Sequence, residues 1–197
     1  MEIIIHRVNN LSKLKYIPTN YGIEIDVRDF KNDLILSHDP FKNGEKLEKF
    51  LKHYNHGTLI VNIKSEYIES KVLKLLKKYR IKKYFFLDST YPSIINQYKK
   101  KDFKFAIRVS DYESIKNVYN FNNKIKFIWL ELFEKVYLKS KDLNFLKKNK
   151  IKICLVSPEL HKKPNDINKI KNFIKKNRLE ITFVCTKQKF IKNWINF

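Results

Sequence analysis

Eight short apolar runs, rich in β-branched and aromatic residues, alternate along this chain with Lys-rich stretches of helical periodicity. The runs are 2–6 (EIIIH), 22–27 (GIEIDV), 58–64 (TLIVNIK), 84–88 (YFFLD), 104–109 (KFAIRV), 126–132 (KFIWLEL), 152–157 (KICLVS) and 180–185 (EITFVC). Near-continuous Ile, Val and Phe over so few residues predicts strands buried on both faces. Between them, sets such as Leu47, Phe50, Leu51 and Tyr54, or Ile167, Ile170, Phe173 and Ile174, recur at three and four positions with Lys opposite. That spacing predicts amphipathic helices. Strict alternation of strand and helix implies parallel pairing through right-handed crossovers. Eight such units predict a (β/α)8 TIM barrel, with an open doubly wound sheet as the alternative. The chain has 197 residues, fewer than the ~250 usual for a barrel, so short loops are expected. The first crossover, 8–21, leaves room for one short helix before Pro18. After the second run, 30–39 (FKNDLILSHD) predicts a turn at Lys31-Asn32-Asp33 and an extra strand, a small excursion above the barrel. One domain over 1–197 is expected.

Composition removes several classes. Hydrophobic residues are 43% of the chain, enough for a core, and 3 Gly and 5 Pro exclude collagen-like and Gly-rich low-complexity chains. The 2 cysteines, Cys154 and Cys185, lie inside apolar runs, which predicts buried thiols in a reducing compartment rather than a disulfide scaffold or four-Cys zinc site. No basic segment leads into a long apolar one at the N-terminus, and no run reaches membrane-spanning length, so a cytoplasmic protein without a transmembrane segment is expected. The 42 Lys and Arg against 20 Asp and Glu leave a net charge of +22. Lys is spread over most of the helices rather than gathered with Arg, so specific nucleic-acid recognition is not expected. The positive field favours a small anionic substrate and weak polyanion binding.

Chemistry in a barrel sits at the C-terminal ends of its strands, and polar residues gather there in this sequence. The runs end in His6-Arg7, in Glu24 and Asp26, in Asn62 and Lys64, in Asp88, in Arg108, in Glu131, in Ser157 and Glu159, and in Thr186, while the excursion ends in His38-Asp39. Glu24 and Asp26, two apart on a strand, face the same way. Two such carboxylates repel unless something positive lies between them. A hard divalent cation, Mg2+ or Ca2+, satisfies this, as do salt bridges to nearby Lys or Arg. His6 and His38 are the candidate general acid and base. Arg7 and Lys64 are the positive donors a phosphate needs.

The motifs His6-Arg7, Glu24-Ile25-Asp26, Ser37-His38-Asp39 and Asn62-Ile63-Lys64 resemble, in order, spacing and strand position, those of the glycerophosphodiester phosphodiesterase family, a branch of the PLC-like phosphodiesterases. The match is strong over residues 5–64; beyond it the likeness is mainly one of strand–helix rhythm. The resemblance implies a TIM barrel and metal-dependent cleavage of a phosphodiester. It implies His6 and His38 as acid and base, Glu24 and Asp26 as metal ligands, and Arg7 and Lys64 on the phosphate. The family's Gly after His-Arg is Val8 here, its metal-binding Glu on the third strand is Asn62, and its late Asp is Lys187. An Asn carbonyl can still bind a hard cation, and Glu131 is the candidate for the lost charge. A glycerophosphodiester, or a similar phosphate-linked glycan or lipid head group, is the expected substrate. A catalytically impaired barrel that keeps an anionic ligand, and a basic polyanion binder, stand as alternatives.

Overall fold

The computed structural model describes residues 1–121, 124–134, 138–195 and 197. Contacts divide the chain into two compact units, Ile5–Phe105 and Met1–Ile4 with Ala106–Phe197.

The elements of the first unit follow the predicted rhythm. They are α1 (Leu11–Leu14), β2 (Gly22–Phe30), β3 (Asp33–Leu36), β4 (Glu45–Lys46), α2 (Leu47–Lys52), β5 (Leu59–Ile63), α3 (Glu69–Lys78), β6 (Tyr84–Leu87) and α4 (Tyr91–Gln97); β1 (Glu2–Ile5) precedes them. Strand order is β4-β3-β2-β5-β6. β2 runs parallel to β5 with Asp26 in register with Asn62, and β5 runs parallel to β6. The apolar side chains of β5 and β6 are nearly all fully buried, each such burial being worth ~1.5–3 kcal/mol. The predicted excursion is present. β2 continues to Phe30, turns at Lys31 (φ 56°), and returns as β3 antiparallel to itself. The sequence did not announce β4, a two-residue strand antiparallel to β3. It steadies the site indirectly, because the Leu11 N–H at the start of α1 donates to Glu45 Oε2 at 2.6 Å.

The second unit carries β7 (Ala106–Val109), α5 (Lys116–Tyr119), β8 (Phe127–Leu130), α6 (Ser140–Lys148), β9 (Lys152–Val156), α7 (Ile167–Lys176) and β10 (Phe183–Thr186). The order is β1-β10-β9-β8-β7, with parallel pairs from β7 to β10. The segment after β10, a 3-10 turn at Gln188–Asn193, is anchored by Trp194, which is fully buried and donates from Nε1 to Ser157 Oγ at 2.9 Å. Glu159, also buried, accepts from Ser157 and from Thr186 Oγ1, so this polar knot at the ends of β9 and β10 is satisfied.

Helices α3, α6 and α7 end in one way. A left-handed residue follows the cap: Arg80 (φ 56°), Lys150 (φ 52°) or Arg178 (φ 48°). The next N–H then reaches back five residues, Ile81 to Leu76, Ile151 to Leu146 and Leu179 to Ile174, at 2.9–3.0 Å. This bond pattern and its apolar pair make a Schellman stop.

The excursion depends on Gly44. A Cβ there would lie 2.2 Å from the Leu36 carbonyl oxygen, a backbone atom that cannot swing away. Gly44→Ala is expected to force β4 off β3 and to cost ~1–3 kcal/mol, seen as a lower urea midpoint with faster amide exchange in β3. An unchanged midpoint and exchange pattern would refute this account of the excursion.

Candidate active site

The site is assembled where β1 ends and β2 passes beside β5. Arg7 adopts a left-handed conformation (φ 54°) immediately after β1. That turn aims the Arg7 N–H at Glu24 Oε2, 2.6 Å away, and lets the Val8 N–H bond the Glu24 carbonyl at 2.9 Å. Val8 is fully buried and its φ is not positive. The glycine of the family motif is therefore not required at this position, because Arg7 itself makes the turn.

Glu24 and Asp26 are 1% and 0% exposed. Burial, reinforced by the Asp26 charge, raises the Glu24 carboxyl from an ordinary 4.5 to about 7. The Asn62 amide, the Arg7 N–H and Lys64 oppose that rise without cancelling it. Asn62 Nδ2 donates to Glu24 Oε1 at 3.0 Å, and His6 Nε2 stands 3.9 Å from Glu24 Oε2. Asp26 Oδ2 accepts from Asn9 Nδ2 at 2.8 Å and pairs with Arg7 Nε at 3.3 Å. Asn9 returns the contact, its Oδ1 accepting the Asp26 N–H at 2.9 Å. Lys64 Nζ lies 3.7 Å from Asp26 Oδ1 and donates to Asp88 Oδ2 at 3.0 Å. Lys13 Nζ donates to the Arg7 carbonyl at 2.8 Å; burial, with Arg7 nearby, lowers its pKa, while Glu24 pulls the other way.

Six of the eight residues expected from sequence are thus linked by direct contacts: His6, Arg7, Glu24, Asp26, Asn62 and Lys64. His38 lies on the returning loop, which is tied to β2 by the Ser37 N–H on the Asp26 carbonyl at 3.1 Å. Its Nδ1 is 2.8 Å from Asp39 Oδ1, and Arg28 Nη2 donates to its carbonyl at 3.3 Å. Lys42 and then His38 hold the Asp39 carboxyl down, to about 2. Glu131 belongs to the second unit. Its Oε1 accepts from Arg108 Nη1 and Trp129 Nε1, both at 2.8 Å, and His161 Nε2 is 3.9 Å away. Burial lowers the His161 pKa against the pull of that carboxylate. Asn9, Lys13 and the Lys64 contact of Asp88 were not read from the sequence. Asn9 lacks any signal beyond lying three residues after His6.

Among the described residues no three His, Cys, Asp or Glu side chains cluster as a metal site. The acidic pair nevertheless fits a hard cation when the amide is counted. Asp26 Oδ1 and Asn62 Oδ1 are both buried and neither accepts a hydrogen bond. A buried oxygen left so is rare and costly. Asp26 and Asn62 face each other across β2 and β5, and carboxylate and amide oxygens are the donors that Mg2+ and Ca2+ take.

No family description matches this sequence, and no curated protein is similar to it. Solved structures are. A glycerophosphoryl diester phosphodiesterase from Parabacteroides distasonis matches with a TM-score of 0.64 at 14% identity, over 93% of this chain and 81% of that one. A glycerophosphodiester phosphodiesterase from Agrobacterium tumefaciens gives 0.64 at 12% identity, over 94% and 96%. A phosphodiesterase from Oleispira antarctica, solved with the product sn-glycerol-3-phosphate, gives 0.61 at 14% identity, over 98% and 96%.

The buried pair also predicts a pH dependence. The folded Glu24 holds its proton to about 7, against an ordinary 4.5, so the folded state binds the extra proton between those values. Its contribution to stability falls as pH rises through that window and stays reduced above it. In EDTA at pH 8, Glu24→Gln is expected to be more stable than the native protein, by up to ~3 kcal/mol, and nearly equal to it at pH 4. Urea unfolding at both pH values checks this; a variant less stable at pH 8 would contradict the charge argument. The fold that carries this site is the α/β barrel fold of the glycerophosphodiester phosphodiesterases.

Proposed function

We propose that this protein is a metal-dependent phosphodiester hydrolase acting in the cytoplasm as one glycerophosphodiester phosphodiesterase-like domain, on a glycerophosphodiester or a similar phosphate-linked small molecule. The observation that carries the reading is the buried cluster of Glu24, Asp26 and Asn62. Two of its oxygens lack hydrogen bonds, and His6, Arg7 and Lys64 surround it. The product held by the Oleispira antarctica neighbour, sn-glycerol-3-phosphate, is a phosphate monoester such a reaction would release.

Glu24, Asp26 and the Asn62 carbonyl oxygen would hold a divalent cation, Mg2+ or Ca2+. Bound there, the ion supplies Lewis-acid polarisation of the phosphoryl group and offsets charge built up in the transition state. Glu131 is given no place at the ion, since Arg108 and Trp129 already occupy its Oε1. Arg7, with its side chain 45% exposed, and Lys64 hold the non-bridging phosphate oxygens. One imidazole of His6 and His38 takes the proton from the attacking hydroxyl, which is water or a neighbouring substrate hydroxyl. As the P–O bond to the leaving alkoxide breaks, the other imidazole donates a proton to it. Lys13 and Asn9 hold the backbone and carboxylate against which these groups are oriented.

Each imidazole is expected to contribute ~10²–10⁴ in rate. His6→Ala and His38→Ala should each abolish nearly all EDTA-sensitive hydrolysis of bis(p-nitrophenyl) phosphate, with unchanged circular dichroism. Native rates in both would remove the acid–base assignment. Asn62→Glu restores a third carboxylate and should tighten Mg2+ or Ca2+ binding about tenfold or more in calorimetry. An unchanged affinity would place Asn62 outside the ion's shell.

A further inference from the structure

The second unit contains a groove of about 640 Å³ at the end of its strands opposite to that carrying Glu131. One side of α6 from Ser140 to Lys147, the end of α7 at Lys176, and the two turns leading toward β9 and β10 line it. Five cations, Lys147, Lys150, Lys152, Lys176 and Arg178, face one acid, Glu180. Lys147 pairs with that acid at 3.5 Å, both side chains being more than three-quarters exposed. Lys152 lies over the Phe127 ring at 5.7 Å. Among the described residues no carboxylate pairs with Lys150, Lys176 or Arg178.

A helix C-terminus attracts cations through its dipole, and that accounts for Lys147 and Lys176 in the last turns. It does not account for Lys150 and Arg178. These occupy the left-handed position of the Schellman stop, where Gly, or failing that Asn, is preferred. Asn is plentiful in this chain and stands immediately before both positions, as Asn149 and Asn177. Among the described residues the chain places a long cation in this left-handed conformation at six positions, Arg7, Lys31, Arg80, Lys150, Lys162 and Arg178; two of them, Lys150 and Arg178, line the same groove.

We propose that this groove binds a linear phosphate chain, without regard to sequence, through charge alone. The groove lining has no aromatic ring on which a base could stack. Nor does it hold any of the exposed large apolar side chains that insertion into a lipid surface would use. What remains is a groove lined by five cationic residues and one acid, a lining that favours the phosphates of a backbone. The chemistry recognised is common to single-stranded nucleic acid and inorganic polyphosphate. This inference does not rest on the phosphodiesterase reading, and its residues lie outside that machinery.

The test is fluorescence anisotropy with labelled (dT)20 between 50 and 200 mM NaCl, using the full chain. Lys150→Asn and Arg178→Asn, chosen because Asn tolerates the left-handed turn, are combined with Lys176→Gln. The triple variant should bind at least 30-fold more weakly at 50 mM NaCl and flatten the log–log salt slope by about 2. A charge-matched control outside the groove, Lys71→Gln, Lys74→Gln and Lys116→Gln, should change affinity less than 3-fold. Unlabelled polyphosphate should displace the oligonucleotide; binding of polyphosphate but not of (dT)20, lost in the groove variant, assigns the site to polyphosphate. Equal weakening by the two triple variants would reduce the effect to the diffuse +22 field and overturn the proposal, as would absence of binding to either chain at 50 mM NaCl. Loss of binding to phosphatidylglycerol vesicles in parallel with (dT)20 would overturn it in favour of surface adsorption. Unaltered bis(p-nitrophenyl) phosphate hydrolysis and urea midpoints in the groove variant exclude misfolding as the cause.

Discussion

Two carboxylates buried side by side on one face of β2 set the terms for everything around them. Water does not reach Glu24 or Asp26, and an ion removed from water without compensation is penalised by several kcal/mol. The compensation comes largely from neutral donors: the Asn62 amide on Glu24, the Asn9 amide and the Asp26 N–H closing a reciprocal pair, and the Arg7 N–H. The cations stand further off, with Arg7 Nε at 3.3 Å and Lys64 Nζ at 3.7 Å. Compensation is therefore incomplete, and Glu24 titrates near neutrality, at about 7. A chain selected for stability alone would close a lysine onto the pair or replace it with apolar residues. Holding it half-satisfied, with a buried oxygen of Asp26 that accepts no hydrogen bond and meets Lys64 only at 3.7 Å, is the kind of local inconsistency that marks a functional site.

The turn after β1 follows from the same pair. For the Arg7 N–H to reach Glu24, the chain must reverse within one residue, and a left-handed Arg7 achieves it. Lys13 then bonds the Arg7 carbonyl, and α1, which carries Lys13, is held by its Asn10 cap and by Glu45 on β4. The excursion thus supports the site. It secures the helix that braces the His6-Arg7 turn, and its returning loop, which carries the proposed base or acid His38, is tied to β2 at Asp26.

This explains what the sequence disclosed and what it withheld. Hydrophobic periodicity carried the strands because burying Ile and Val on both faces is a local, repeated demand; the runs 2–6 and 58–64 emerged as β1 and β5 within one residue at each end, and the run 22–27 as β2, which continues three residues further to Phe30. The period of two in a strand likewise put Glu24 and Asp26 on one face before any coordinates. The partners of those acids were not legible, because Asn9 and Lys13 act through a turn whose handedness no residue announces. Val8 read as a defect in the motif only because a glycine was expected to make that turn. The partners of Glu131, the candidate for the lost charge, were hidden too, because strand spacing says nothing about Arg108, one strand away in register with Trp129, whose indole shares the same oxygen.

Charge shows the same division between amount and placement. The net +22 is silent about location, and screening confines its reach to ~8 Å at physiological salt. What a phosphate experiences is therefore decided by nearby groups, not by the total. At the acidic pair, Arg7 is already tied to Asp26 and Lys64 to Asp26 and Asp88, so in the reading proposed above a phosphate would compete with Asp26 and Asp88 for them. In that reading a cation on Asp26 would free Arg7, while Lys64 would keep its 3.0 Å bond to Asp88, so metal and phosphate affinity would be coupled through Arg7. At the Schellman stops of α6 and α7 no such partner holds Lys150 or Arg178 among the described residues. One chain thus carries two kinds of positive site, one whose cations are held in reserve by acids and one whose cations stand open.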